Sequence, residues 1–425
     1  MTSWKLSPSK LVGSIAIPPS KSHTMRALLF ASLGKGVSEI KNYLPSPDIF
    51  SCIEAIRSFG IPVEVSEKKL LIRGAEGRWN PCASVIDAGN SGQILRFVGA
   101  LASLLPTYTV LTGDHSIRTL RPVTPFLSAL SQLGASATST KLDSHAPILI
   151  RGPIKPGHAT LSGEDSQPVS ALLMATSFLE GKSVIEVKNP GETPWIDLTL
   201  SWIHSLGGKI THQNYTHYEI EGSLKYEGFQ KTIPGDFSSA AFPLVAALLT
   251  NSQISLENLD WKDIQGDKQL ITILMKMGAP LQIYAEKKSI SINNEGSLQG
   301  RRIDVNRLID ALPILAVVGC FAEGNTEIYN AGIARKKESD RITTITKELR
   351  KMGANIEENP DGLIIYPTKL KGASLYSHND HRIAMALAVA ALAAEGESVL
   401  DGVECVEKSY PNFLFSMQHL GAKIK

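Results

Sequence analysis

Apolar positions in this chain fall into two kinds of run, and their alternation repeats six times. One kind is apolar nearly all round: residues 27–33, 94–105, 169–179, 240–249, 312–321 and 383–393. A helix without a polar face belongs inside, packed on all sides. The other kind is amphipathic. Ile342, Ile345, Leu349 and Met352 recur at steps of three and four, as do Ile49, Cys52, Ile53, Ile56 and Phe59, which turns one helical stripe inward. These runs end at Gly60, Gly134, Gly207, Gly278, Gly353 and Gly421, glycine being the usual left-handed residue after a helix. A short strand follows, such as residues 61–65 or 281–283. The glycines lie about seventy residues apart, and a second series of helix starts, near Ser22, Gly92, Ser166, Ser238, Asp310 and Arg382, runs in phase with them. A fixed period marks repeated supersecondary units. Each unit reads βαβαββ. The pattern predicts an α/β protein of six units in two domains of three, with the apolar helices inside and sheets plus amphipathic helices outside.

Length agrees with that division, since 425 residues exceed one ordinary core. Charge narrows the partners. Lys+Arg 43 against Asp+Glu 41 gives +2, so no overall field draws the chain to nucleic acid or membrane, and anion binding must come from local clusters. The longest apolar runs are about 12 residues, short of the roughly 20 that span a bilayer. The first residues lack a charged segment followed by an apolar one, so no secretory signal is expected. Cys52, Cys82, Cys320 and Cys405 show no metal-ligand spacing and read as reduced thiols of a cytoplasmic protein.

Candidate chemistry gathers at the six inner-helix starts, where unpaired N–H groups and the helix dipole favour anions. Pro18-Pro19-Ser20-Lys21-Ser22-His23-Thr24-Met25-Arg26 opens the first. Ser22 and Arg26 share a face, and Lys21 stands at the end of the dipole that disfavours a cation, which a bound anion would explain. Asn90-Ser91-Gly92-Gln93-Ile94-Leu95-Arg96 opens the second, where Gly92 permits close backbone approach; Arg121 follows in Leu120-Arg121-Pro122. Asp165-Ser166-Gln167 and Pro234-Gly235-Asp236-Phe237-Ser238-Ser239 open the third and fourth, and Asp310 begins the fifth. In Arg335-Lys336-Lys337-Glu338-Ser339-Asp340-Arg341, Lys337 and Arg341 are like charges four apart that would repel on a helix unless an anion joins them. Ser377-His378-Asn379-Asp380-His381-Arg382 opens the sixth and matches no zinc pattern; Lys408 follows. Lys21, Arg26, Arg96, Arg121, Lys337, Arg341, Arg382 and Lys408 are thus a surplus of cations at equivalent starts, suited to substrates rich in phosphate and carboxylate. Asp310 and Glu338 are the acids placed to act among them.

Pro-Ser-Lys-Ser-x-x-x-Arg, Gly-Asn-Ser-Gly-x-x-x-Arg, Leu-Arg-Pro, Asp-Phe-Ser-Ser-Ala-Ala, Lys-Glu-Ser-Asp-Arg and Asn-Asp-His-Arg occur in this order. Over about residues 10–415 the chain resembles the 5-enolpyruvylshikimate-3-phosphate synthase family. The resemblance implies a two-domain inside-out α/β barrel, six βαβαββ repeats with three per domain. It implies one discontinuous domain of residues 1–17 and 236–425 and a second of 18–235, crossovers near 14–20 and 233–238, and an active site in the interdomain cleft. It implies transfer of the enolpyruvyl group of phosphoenolpyruvate to the 5-hydroxyl of shikimate 3-phosphate with release of phosphate, no metal or organic cofactor, no nucleic-acid or membrane partner, and a cytoplasmic monomer. By matching position, Lys21, Asn90, Gly92, Arg121, Arg341, Arg382 and Lys408 resemble the phosphoenolpyruvate site. Ser22, Arg26, Ser166, Gln167, Asp310 and Lys337 resemble the shikimate 3-phosphate site. Asp310, Glu338 and Lys21 resemble the catalytic groups: Asp310 beside the attacking hydroxyl, Glu338 placed to protonate the methylene carbon and later take a proton back.

The chain departs from the family pattern at Pro19, Gln93, Asp165, Glu192 and Trp195. Asp165 replaces the first serine of a Ser-Ser-Gln motif, and Glu192 a phosphate-contacting serine. Two other readings remain open: an enolpyruvyl transferase acting on UDP-N-acetylglucosamine, and a repeat protein that binds an acidic metabolite or RNA without turnover. Against the first, residues 111–118 lack the reactive cysteine usual in that family; against the second stand near-zero net charge and the retained acids Asp310 and Glu338.

Overall fold

Six four-stranded sheets, each backed by one apolar and one amphipathic helix, make up the computed structural model, which describes residues 2–293 and 296–425. The chain forms two units, one of Met1–Pro19 with Pro234–Lys425 and the other of Ser20–Ile233. Each has its own apolar core.

The inner helices are Lys21–Leu33, Gly92–Ala102 and Ser166–Thr176 in the second unit, and Phe237–Leu249, Leu312–Phe321 and His381–Ala393 in the first. Nearly every residue in them is buried, as their all-round apolar sequences require. Two end sooner than the apolar pattern predicts. Ser103 and Ser177 follow Ala102 and Thr176 and turn their hydroxyls back onto the carbonyls of Ala100 and Leu173, competing with further helical bonding. The fifth begins later than expected. Asp310 lies in a 3-10 turn, Asn306–Ala311, broken at Leu308, and the α-helix starts only at Leu312 with Pro313 in its first turn, where a missing N–H is tolerated.

The amphipathic helices Pro47–Ser58, Thr124–Gln132, Thr193–Ser205, Gln269–Lys276, Arg341–Lys351 and Phe413–His419 cover the sheets. All six glycines that follow them have positive φ, between 80° at Gly60 and 106° at Gly278, the backbone region glycine enters without a Cβ penalty.

Each sheet mixes one parallel pair with an antiparallel end. In residues 158–220, His158–Ser162 runs parallel to Ser183–Lys188, which pairs antiparallel with His217–Ile220 and, through it, Ile210–Gln213. Three sheets are completed from far along the chain. Gln230–Thr232 pairs parallel with Val37–Lys41. Val12–Ala16 pairs parallel with Gln253–Glu257. Ser3–Ser7 lies between Ser398–Asp401 and Lys423–Ile424. The N-terminal segment therefore supplies strands to two sheets of the first unit.

Candidate functional site

In the first unit the cluster centres on Arg341, the first residue of helix Arg341–Lys351. Its guanidinium is almost wholly buried and reaches three carboxylates. Nη1 donates to Asp310 Oδ1 at 2.7 Å, Nη2 to Glu338 Oε2 at 2.9 Å, and Nε to Asp380 Oδ2 at 2.8 Å. Lys408 Nζ donates to the other Glu338 oxygen at 2.6 Å, and Arg382 Nη2 approaches Asp310 Oδ2 at 3.4 Å. Asp380 is fully buried and also caps the sixth inner helix, accepting from the Arg382 amide at 2.9 Å. The cluster thus balances Arg341, Arg382 and Lys408 against Asp310, Glu338 and Asp380.

Burial alone would raise the Asp310 carboxyl, but Arg382, Arg341 and Lys337 together hold it well below the usual carboxylate range. The same carboxylates raise Arg341 further, against the effect of its burial. A neighbour behaves oppositely. Asp267, 2% exposed, takes the Ser238 hydroxyl at the fourth inner helix. Burial first, and the Asp310 charge second, push it up to about 7.

Lys337 and Arg341 do not share a helix as their spacing suggests. Lys337 follows the 3-10 turn Gly332–Lys336, and Asp340 caps the next helix by accepting from the Thr343 amide. The break removes the expected i,i+4 repulsion, and Lys337 acts through its field on Asp310.

In the second unit, Lys21 opens the first inner helix and its Nζ lies 3.3 Å from Asp48 Oδ2. Ser22 Oγ accepts from Gln93 Nε2 at 3.3 Å. Asn90 Nδ2 is held by Asp114 and Ser116, while its Oδ1 accepts from Arg121 Nη2 at 3.2 Å. A Cβ at Gly92 would stand 2.8 Å from Gln167 Oε1, 2.9 Å from Arg96 Nη1 and 3.0 Å from Arg121 Nη1, so only glycine lets these three side chains converge unmoved. Arg96 ties the second and third inner helices together, through Gln167 Oε1 at 3.3 Å and Asp165 Oδ2 at 3.2 Å.

Arg26 is 1% exposed and turned into the protein. Its Nε and Nη2 donate to Thr199 Oγ1 at 2.9 and 2.8 Å, and its other bonds go to the Trp195 and Ser22 carbonyls. Burial lowers it to about 9. Ser166, at the start of the third inner helix, gives both its amide and its hydroxyl to Glu192 Oε2, at 3.1 and 3.3 Å.

The structure therefore joins Asp310, Glu338, Arg341, Arg382 and Lys408 in one cluster of the first unit. Gly92, Arg121, Gln167 and Asn90 meet in the second. Asp380, Asp267, Asp48 and Glu192 lie outside the residues that the sequence assigns to the site, whereas Arg96 stands among the cations it places at the inner-helix starts. Asp380 had a visible signal, an acid directly before an inner helix; Asp48 and Asp267 had none.

A family model described as EPSP synthase (3-phosphoshikimate 1-carboxyvinyltransferase) matches residues 6–417. The chain is 44% identical to the 3-phosphoshikimate 1-carboxyvinyltransferase of Chlamydia caviae, over 100% of this chain and 95% of that protein. It is 42% identical to the protein of the same name from Ruminiclostridium cellulolyticum, over 99% of each. The EPSP synthase structure from Acinetobacter baumannii superposes with a TM-score of 0.84 at 27% identity, covering 100% of this chain and 99% of that one. An enolpyruvyl transferase of Streptomyces tendae shares the fold, with a TM-score of 0.81 at 17% identity over 100% of this chain and 98% of that one.

Proposed function

The chain belongs to the EPSP synthase (3-phosphoshikimate 1-carboxyvinyltransferase) family, and from that membership we propose how its residues divide the reaction. The enzyme transfers the enolpyruvyl group of phosphoenolpyruvate to shikimate 3-phosphate, a step of aromatic biosynthesis. The observation that carries the division of labour is Arg341 held between Asp310 and Glu338. One cation addresses both acids that the chemistry needs.

In this reading Arg341, Arg382 and Lys408, with Arg121, Lys21 and the turn at Asn90 and Gly92, hold phosphoenolpyruvate. Ser22, Arg26, Ser166, Gln167 and Lys337 serve shikimate 3-phosphate, Arg26 by stiffening its surroundings, given its internal bonds. Glu338 delivers its proton to the methylene carbon, the acceptor 5-hydroxyl oxygen bonds to the adjacent carbon, and Asp310 receives the hydroxyl proton. Elimination then returns a proton from the methyl group to Glu338, the carbon–oxygen bond to the phosphate breaks, and the departing phosphate takes up the proton held by Asp310 and leaves as inorganic phosphate. Lys21 stands by the reacting oxygens. Substrate anions that draw on Arg341, Arg382 and Lys408 weaken the hold of these cations on Glu338 and Asp310, so both carboxyls become better bases. Preplaced cations lower the cost of bringing two anionic substrates together.

By the family resemblance we place the enzyme in the cytoplasm, where small charged metabolites are held, and read it as a monomer. Among the described residues no helix is long and apolar enough to cross a membrane.

The test is phosphate release from phosphoenolpyruvate at neutral pH without added metal. Release that requires shikimate 3-phosphate supports the reading. Release with UDP-N-acetylglucosamine instead, or with neither acceptor, defeats it.

A further inference from the structure

The Glu192 carboxylate sits where an incoming anion would be welcome. Ser166 is the first residue of an 11-residue inner helix, and a helix start with an adjacent hydroxyl is a ready anion site. Both Ser166 donors go to one oxygen of Glu192. Glu192 is 2% exposed and adopts φ 48°, a left-handed conformation uncommon for residues other than glycine. The surrounding chain holds it there: the Gly191 amide donates to the Gly163 carbonyl at 2.8 Å, and the Glu192 carbonyl accepts from Trp195 at 3.0 Å.

The nearby cations are committed as well. Arg26 is spent on Thr199, Trp195 and Ser22. Arg96 pairs with Asp165, whose side chain also caps this helix by accepting from the Gln167 amide at 3.0 Å. Two carboxylates, Asp165 and Glu192, therefore flank Ser166. A phosphate approaching Ser166 must displace one carboxylate and then tolerate both charges in a site that water screens poorly.

We propose that Glu192 is a specificity-determining residue, an internal competitor for the acceptor's phosphate that holds down affinity for shikimate 3-phosphate relative to unphosphorylated shikimate. The proposal rests on the assignment of Ser166 to the acceptor site made above. Serine at position 192 removes both the charge and the occupant. Glutamine retains an acceptor oxygen for Ser166 and removes only the charge.

The experiment is calorimetric titration of the full chain and its Glu192→Ser and Glu192→Gln variants with shikimate 3-phosphate and with shikimate. The expected result is at least tenfold tighter shikimate 3-phosphate binding by Glu192→Ser, a smaller gain by Glu192→Gln, and little change for shikimate. A residue that merely caps the helix would not produce a gain confined to the phosphorylated ligand. Unchanged or weaker shikimate 3-phosphate binding by both variants overturns the proposal. If the wild-type chain meanwhile turns over shikimate 3-phosphate, the functional reading stands and this inference alone falls. If neither the wild-type chain nor either variant binds shikimate 3-phosphate, both fall. Glu192→Gln is nearly isosteric, so it keeps the test open should Glu192→Ser fold poorly.

Discussion

Arg341 Nη2 donates to Glu338 Oε2 at 2.9 Å, three residues back along the chain and across a helix start. Glu338 is thereby held by Arg341 on one oxygen and Lys408 on the other. A carboxylate clamped at both oxygens has a defined direction, which suits a group that must pass a proton to one carbon and recover it.

Glu338→Gln keeps the shape and removes the proton. Turnover should fall by about 100-fold or more, the usual contribution of a general acid–base group, with shikimate 3-phosphate binding changed far less. Single-turnover kinetics beside calorimetry separates the two. Intact turnover would remove Glu338 from its assigned role.

Arg341→Met leaves Asp380, fully buried, without its principal cation and strips Asp310 of its shortest ion pair. Breaking a buried pair from one side costs about 3–5 kcal/mol. A large drop in the urea midpoint is expected together with loss of phosphoenolpyruvate binding. A variant that binds poorly yet unfolds at the wild-type midpoint would show that Arg341 contributes nothing to the fold.

Gly92→Ala brings a methyl group within 2.8–3.0 Å of Gln167, Arg96 and Arg121. All three atoms end flexible side chains, so the backbone can remain in place while the side chains shift. The expected signature is a KM for phosphoenolpyruvate raised about tenfold, about 1.4 kcal/mol, at an unchanged melting temperature. A normal KM would mean that the convergence at Gly92 does not matter for that substrate.

Stability should respond to pH through two opposite kinds of carboxyl. Glu348 would be raised by burial, but bonds from His378, Lys351 and the Tyr376 amide bring it to about 2. Its stabilisation is complete above the unfolded value near 4 and is lost as pH falls toward 2. Asp267, raised to about 7, favours the folded state most below about 4, and that contribution disappears as pH rises through 7. Asp267→Asn should therefore gain stability relative to wild type between pH 5 and pH 8, by on the order of a few kcal/mol. Parallel urea titrations at the two pH values measure it; a constant difference would show that Asp267 is not protonated in the folded protein.

Much of this was legible locally. The six glycines after amphipathic helices all adopt positive φ, because a helix end and its left-handed cap are settled within a few residues. The apolar helices followed from composition alone, and the cations at their starts were visible by position. The fifth start was misplaced because Asp310 resembles a cap, whereas Pro313 and the break at Leu308 delay the α-helix to Leu312. Glu192 is different again. Its identity was plain in the sequence, but its attachment to Ser166 depends on a left-handed turn that its neighbours do not announce.

The sequence by itself determined which segments are helical to within a few residues, which faces they bury, and most of the charged residues at their starts, since periodicity and capping act over one or two turns. Tertiary structure alone decided that Arg341 meets Asp380, 39 residues away, that Glu192 accepts from Ser166, and that Ser3–Ser7 and Gln230–Thr232 complete distant sheets. Strands join through backbone donors and acceptors that every residue but proline carries in full, so pairing leaves little mark on residue identity. An ion pair between distant segments is chosen by the packing that brings them within reach.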